Sequence, residues 1–389
     1  MIAEVGTRSE LRFPVEEYRT RVERLRAELQ SRGIDSYVAT MPEHLNYFTG
    51  FDPTGIYFFQ LAVFTPDLPE PILLTHKCEK ELARVTCWIE DIRIWQHGED
   101  PVARAVALLR EVGVGRGTTV GMELEGWYLK PDHYLRVRRS LDDVRIIDVT
   151  DVGQELRMRK SPAEMHYMRQ AAALAALGFA AAVESLAPGT REVDVLGAVQ
   201  HALAVAGSEY PALPFIIGSG PRSGLFHNLA TERVIEEGDP VMLEISGVKA
   251  RYNSNIVRTV VVGTASSDLL GLHRIAYDAF WQAFEAVKPG IPVGEIDRIT
   301  REVRREYADY IPSRAGFGME LAYPPVWLGR PDILEGDPHV LEPGMVFSLE
   351  PSVAMYEGIT MIYGYNMVVT ENGAEILHQI DPNLFEIRV

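Results

Sequence analysis

The sequence predicts a two-domain protein of mixed α/β (α+β) class, and three observations carry that prediction. A chain of 389 residues is long for a single hydrophobic core. Residues 1–155 alternate short helical and strand patterns, as a small α/β domain does. From residue 156 onward a long Ala-rich helical segment is followed by strands, then helices, then strands again, which sets a second domain at 156–389.

The elements follow in order. Val15 to Ser31 reads as an amphipathic helix, with Val15, Tyr18, Val22, Leu25 and Leu29 at spacings of three and four and Gly33 as its stop. Strands are predicted at Ser36 to Thr40, Phe58 to Thr65, Pro71 to Thr75, Thr119 to Met122 and Arg145 to Val149, all short and bounded by Pro, Gly or Asp. Asp148 to Ser161 reads as the connection between domains. Ser161, Pro162 and Glu164 then form a capping box that opens a helix over Ala163 to Leu186. A second helix is predicted over Glu192 to Ala206, and strands over Phe215 to Gly218, Val241 to Ser246 and Ile256 to Val262. Helical periodicity returns at Ala265 to Val287 and Val293 to Tyr310, and Val346 to Glu350 with Met367 to Thr370 complete a sheet.

Composition is that of an ordinary globular enzyme, 47% hydrophobic and 24% charged. With 38 Lys and Arg against 55 Asp and Glu, the net charge of −17 opposes binding to phosphate backbones, so no nucleic acid partner is expected; the acidity reads first as simple solubility, although an acidic surface also draws in a cationic substrate. The start of the chain lacks a basic patch followed by an apolar run, and no apolar stretch is long enough to span a bilayer, so a cytoplasmic protein with no membrane partner is expected. Cys78 and Cys87 are too few for a disulfide framework and lie far from the motifs below.

Five segments carry the chemistry: Arg157 to Glu164, the Gly-rich loop Gly218 to His227, the hairpin Glu244 to Thr259, the run Leu341-Glu-Pro-Gly-Met345 to Glu350-Pro351, and Val369-Thr370-Glu371-Asn-Gly373. In this order and spacing the chain resembles the creatinase, prolidase and methionine aminopeptidase superfamily. The resemblance implies a creatinase/prolidase-like amino-terminal domain, a pita-bread catalytic domain, and a homodimer. In its metallopeptidase members two Asp, one His and two Glu hold a pair of divalent ions. The matching positions here are Glu244, Asn255, Ala315, Glu350 and Gly364. Four of the five depart from that pattern, and Ala and Gly offer no ligand atom for hard cations, so no metal and no other cofactor is expected.

What the resemblance keeps is His227, at the place of the family's proton-transferring histidine. It is the candidate general acid/base, since an imidazole can take a proton from water and pass it to a leaving nitrogen. Glu244 stands in an otherwise apolar strand, where a buried acid needs a partner or a raised pKa. Glu244 and Glu350 are the candidate groups that hold a cationic nitrogen or orient water, and two acids in one pocket favour keeping a proton on one of them. Asn255, Tyr252, Arg258, Arg314, Tyr323, Trp327 and Phe58 are candidate substrate contacts. Tyr323 and Trp327 are read as a possible aromatic wall, and Arg258 equally as a structural ion pair. Phe51 and Tyr57, beside Phe58, are weaker candidates, named because relatives of this architecture reach the site with that region of a dimer partner.

The segment Arg314 to Trp327 and the opening Leu243-Glu244-x-x-Gly247 are similar to those of ectoine hydrolases, and creatinase likewise lacks the metal cage. Creatinase has a glutamate where Val257 stands here, which disfavours creatine as substrate. Glu350 departs from the ectoine hydrolase pattern. The expectation is therefore a metal-independent hydrolase of a non-peptide C–N bond, amide or cyclic amidine, in a small cationic or zwitterionic metabolite. A metal-dependent Xaa-Pro dipeptidase with altered ligands and a non-catalytic binding scaffold are the alternatives.

Overall fold

The structure, a computed structural model, describes residues 6–388. Residues 1–5, part of the start read above for a leader, and residue 389 lie outside them. The chain divides into two compact units between Arg157 and Met158, where the sequence reading set the border after residue 155.

In the amino-terminal unit, α1 (Val15–Arg32) buries Tyr18, Val22, Leu25 and Leu29 and stops at Gly33, whose φ of 66° is the left-handed turn a glycine supplies without strain. Strands β1 (Ser36–Ala39), β2 (Leu61–Phe64), β3 (Ile72–His76), β4 (Ile92–Trp95), β5 (Thr119–Met122) and β6 (Arg145–Asp148) form one six-stranded sheet in the order β4-β3-β2-β1-β5-β6. Helices α2 (Pro42–Thr49), α3 (Lys80–Thr86), α4 (Pro101–Glu111) and α5 (Pro131–Ser140) lie between the strands. β4 escaped the sequence reading because Ile92-Arg-Ile-Trp95 is a sheet edge that buries only Trp95 fully. The expected connection Asp148 to Ser161 is mostly helix: α6 (Thr150–Met158) starts where the Asp148 carboxylate accepts from the Thr150 N–H at 3.0 Å. The expected strand Phe58 to Thr65 is pared to Leu61–Phe64.

The second unit opens with α7 (Pro162–Ser185). Its capping box is present as read: the Ser161 hydroxyl accepts from the Glu164 N–H at 3.2 Å and the Glu164 carboxylate accepts from the Ser161 N–H at 2.9 Å. Then come α8 (Glu192–Val205), β7 (Ile216–Ser219), and a long hairpin of β8 (Pro240–Lys249) and β9 (Tyr252–Val262) turning through Ala250 and Arg251. Helices α9 (Ser267–Ala286) and α10 (Val293–Val303) precede β10 (Gly316–Met319), β11 (Leu328–Ile333), β12 (Val346–Leu349), β13 (Ser352–Tyr356), β14 (Ile359–Val369), β15 (Ala374–Ile376) and β16 (Glu386–Ile387). The main path of this ten-stranded sheet runs β11-β10-β12-β14-β9-β8-β7. α7 and α8 share a core with β8 and β9 through Phe179, Val199, Leu243 and Ile256, and α9 with α10 shares another with β12 and β14 through Phe280, Ile296, Phe347 and Met367.

The helix expected over Val293 to Tyr310 ends at Val303 and continues as a 3-10 segment, Arg305–Tyr310. There the buried Arg304 guanidinium turns back to donate to the Thr300 carbonyl at 2.9 Å and across to that of Ser352 at 2.6 Å. Both hairpin strands are longer than expected. β9 takes in Asn253, Ser254 and Asn255 ahead of the expected start at Ile256, and each is fully buried with its side chain hydrogen-bonded.

Gly247 sits where β8 presses on α7: a Cβ there would lie 2.3 Å from the Ala171 carbonyl oxygen and 2.4 Å from the Ala175 nitrogen. Backbone cannot yield as a side-chain tip does. Gly247→Ala is therefore expected to destabilise by about 1–3 kcal/mol, whereas Gly271→Ala, at an exposed position of α9 with no atom within 4 Å of its added Cβ, is expected to stabilise by about 0.5–1 kcal/mol. Chemical denaturation of the two variants checks the opposite signs.

Candidate active site

The hairpin register sets Glu244 opposite Val257 and Ser246 opposite Asn255. Glu244 and Asn255 are thus diagonal neighbours on one face, within reach of each other. The Asn255 Nδ2 donates to Glu244 Oε1 at 2.8 Å. β14 lies on the other side of β9, with Gly364 opposite Val257, and β12 delivers Glu350 just past its end, where the Glu350 N–H donates to the Ala315 carbonyl at 2.8 Å. Gly364 leaves room for that acid, because a Cβ at 364 would stand 2.8 Å from the Glu350 Cβ.

A cavity of about 540 Å³ gathers His227, Glu244, Arg314, Trp327 and Glu350 in its lining, with Phe226, Asn228, Phe317 and Ser352 among the other walls. Such a volume suits a small metabolite or a short peptide. Both acids are pushed well above the ordinary carboxyl range. For Glu244 the cause is burial, opposed by the Asn255 hydrogen bond. For Glu350 it is burial first, then the Glu244 charge, opposed by the Ser348 hydroxyl, Arg314 and Asn255. Arg314 is tied to Asp332 at 2.5 Å and lies over the Phe317 ring, 5.0 Å from its centroid.

His227 projects, exposed, from a loop that is itself anchored from below. Buried Glu192, the first residue of α8, accepts from the backbone and hydroxyl of Ser219 at 2.8 and 2.9 Å, from those of Thr231 at 2.9 and 2.7 Å, and from Arg222 Nε at 3.2 Å. Asn228 Nδ2 closes the loop on the Leu225 carbonyl at 2.8 Å.

Other expected contacts stand elsewhere. Asn255 lies behind Glu244 and is fully buried, not in the cavity wall. Tyr252 is buried with its hydroxyl on Glu164 at 2.8 Å, so it serves the α7 cap. Among the described residues Arg258 makes no carboxylate ion pair; its guanidinium lies over the Tyr363 and Tyr365 rings, 4.2 and 4.8 Å from the centroids, and Nη1 donates to the Asp381 carbonyl at 2.9 Å. Tyr323 is buried near the Arg251 guanidinium, and of the expected aromatic wall only Trp327 lines the cavity. Phe58 belongs to the amino-terminal unit, where its ring stacks on His76 with centroids 4.1 Å apart; Phe51 is buried and Tyr57 exposed.

The sequence reading missed Asn366, Ser254 and His378. Asn366 Oδ1 accepts from the Asn255 N–H at 2.8 Å and the Ser254 hydroxyl at 2.6 Å, and its Nδ2 donates to Asn255 Oδ1 at 2.8 Å. The signal was present: Asn366 is a polar residue inside an apolar strand, the same anomaly that singles out Glu244.

These residues do not fit a pair of divalent ions. Asn255 commits its amide nitrogen to Glu244 and its amide oxygen to Asn366, Ala315 and Gly364 have no donor atom, and among the described residues no three His, Cys, Asp or Glu side chains converge on a metal-sized site. Nor is any helix among them long and apolar enough to cross a membrane.

Residues 166–378 match the model of metallopeptidase family M24, and residues 21–159 that of the creatinase/prolidase N-terminal domain. The chain is 29% identical to the Xaa-Pro dipeptidase of Pyrococcus furiosus, over 94% of this chain and 99% of that one. It is 27% identical to the ectoine hydrolase of Halomonas elongata, over 96% and 98%. The crystal structure of dipeptidase PepE from Mycobacterium ulcerans superposes with a TM-score of 0.84 at 26% identity, covering 97% of this chain and 100% of the other. With more than half of its length inside one family model, the chain belongs to metallopeptidase family M24, as a hydrolase of the pita-bread fold behind a creatinase/prolidase N-terminal domain.

Proposed function

We propose that this M24 hydrolase is a cytoplasmic homodimer that cleaves a non-peptide C–N bond, amide or cyclic amidine, in a small cationic or zwitterionic metabolite, without a metal. One observation carries the reading: His227 and the two acids line a single cavity while three of the five cation-ligating positions hold Asn, Ala and Gly. In this scheme the acid pair receives the cationic nitrogen and gives up its shared proton as the cation arrives. Water held against Glu350 loses a proton to His227 as it attacks the carbon, and the imidazolium returns that proton to the departing nitrogen. Arg314 at the wall supports a carboxylate on the substrate. Retention of the acid pair and the histidine together favours catalysis over a binding scaffold. The Xaa-Pro dipeptidase reading draws support from the Pyrococcus furiosus relative.

Metal content of protein purified without added metal, paired with turnover of ectoine, creatine and a Xaa-Pro dipeptide with and without chelator, separates the two. The expected result is a metal-free protein that opens an amide or amidine regardless of chelator. Two bound equivalents and chelator-sensitive dipeptide cleavage overturn it in favour of the peptidase. His227→Gln is expected to lower kcat by roughly 10²–10⁴ with the fold unchanged, checked by steady-state kinetics and circular dichroism.

The acids also set a pH dependence. Raised carboxyl pKa values mean that the folded protein holds more protons than the unfolded chain from the ordinary carboxyl range up to the raised values, so stability falls as pH rises through that window. Glu350→Gln removes one ionisation. The variant is expected to match the wild type near pH 4 and to exceed it by on the order of 2 kcal/mol near pH 8, as thermal unfolding across pH would record, while losing activity.

A further inference from the structure

The polar chain behind the acids has only one consistent direction, and backbone groups fix it. A backbone N–H can only donate. The Asn255 N–H donates to one end of the Asn366 amide at 2.8 Å, so that end is the oxygen and the other is the NH₂. The NH₂ of Asn366 therefore faces Asn255 Oδ1 at 2.8 Å, and the Asn255 NH₂ faces Glu244 at 2.8 Å and the Glu350 carboxyl beside it.

A second backbone donor gives the same answer independently. The Asn366 N–H donates to His378 Nδ1 over a long 3.4 Å, and burial, then Arg258, keep His378 neutral by lowering its pKa to about 3. Its one proton is then on Nε2, which donates to the Ser254 hydroxyl at 3.0 Å, and that hydroxyl donates to Asn366 Oδ1 at 2.6 Å. Asn366, Ser254, Asn255 and His378 are all buried, so water does not offer an easy alternative.

We propose that Asn366, oriented by the Asn255 backbone and by His378 through Ser254, is a positioning residue that holds the Asn255 amide with its NH₂ group between Glu244 and Glu350. In that position the amide is an uncharged double donor that joins the two acids at the place where metallopeptidase relatives carry an acid. The proposal rests on the reading of Glu244 and Glu350 as the acid pair of the site, and its test needs no substrate, so it stands or falls apart from the hydrolytic reaction.

Asn366→Asp keeps the acceptor for the Asn255 N–H and the Ser254 hydroxyl but has no N–H for Asn255 Oδ1, so the Asn255 amide is expected to turn its NH₂ toward the new carboxylate. Asn366→Ala removes the restraint without adding charge, and keeps the test open if the Asp variant does not fold. The full-length protein, labelled with ¹⁵N-asparagine, reports the Asn255 side-chain NH₂ cross-peaks, identified by their loss in Asn255→Ser. In the wild-type background Glu350→Gln is expected to displace those cross-peaks. In a folded Asn366→Asp or Asn366→Ala background the same Glu350→Gln change is expected to leave them in place. Cross-peaks that ignore Glu350→Gln in the wild type, or that answer to it equally in the folded Asn366 variants, would overturn the positioning role.

Discussion

Two carboxylic acids in the wall of one cavity, Glu244 buried and Glu350 partly so, are the constraint on which the second unit depends. Side by side and largely desolvated, Glu244 and Glu350 disfavour carrying two full charges without a compensating cation. Donors stand against them: the Asn255 amide, the Ser348 hydroxyl at 3.0 Å, and more distantly the Arg314 guanidinium. None of these brings the concentrated charge of a metal ion. The pair is left with an appetite for positive charge that the proposed cationic substrate would satisfy, and it is costly to keep ionised without one.

The hairpin and the loop hold the two halves of the site by different means. β8 and β9 are buried along nearly their whole length, with α7 packed so closely that Gly247 has no room for a Cβ, so Glu244 moves only if the sheet moves. His227 lies on an exposed loop, and its position comes instead from Glu192, where one buried carboxylate gathers Ser219, Thr231 and Arg222 from both ends of the loop. Rigid acids and a tethered but solvent-facing imidazole suit the proposed general acid/base role, in which His227 would exchange protons with water between turnovers.

Much of this was legible in the residue order, and what was not has a physical cause. The Ser161 capping box, the stop at Gly33 and the long helices follow from local chemistry that needs no tertiary partner. Glu244 announced itself as an acid in an apolar strand. Asn366 carried the same anomaly, but only three-dimensional pairing of β14 with β9 and β12 gives it a role, since its partner Asn255 is 111 positions away. Tyr252, Tyr323 and Arg258 lie in or beside the motifs and read as candidate contacts, Tyr323 as part of an aromatic wall and Arg258 equally as a structural ion pair. Their side chains point into packing: Tyr252 to the cap of α7, Tyr323 beside Arg251, Arg258 between two tyrosine rings. Sequence proximity does not record which side of a strand a residue faces once bends and turns intervene.

The altered ligand positions are also coupled to one another. Restoring an acid at Asn255 would break the donor chain from Asn366, because an unprotonated carboxylate has nothing to offer Glu244. Restoring one at Gly364 would bring a Cβ within 2.8 Å of the Glu350 Cβ and 2.7 Å of Val257 Cγ1, so Glu350 or the strand beside it must give way. Ala315 is fully buried at the start of β10 with its carbonyl already receiving the Glu350 N–H, and a larger ring there has no exposed side to occupy. Each change toward a metal cage thus disturbs a contact that the present acid pair uses. The cavity is a self-consistent arrangement of donors around two acids, several coordinated steps away from a dinuclear centre.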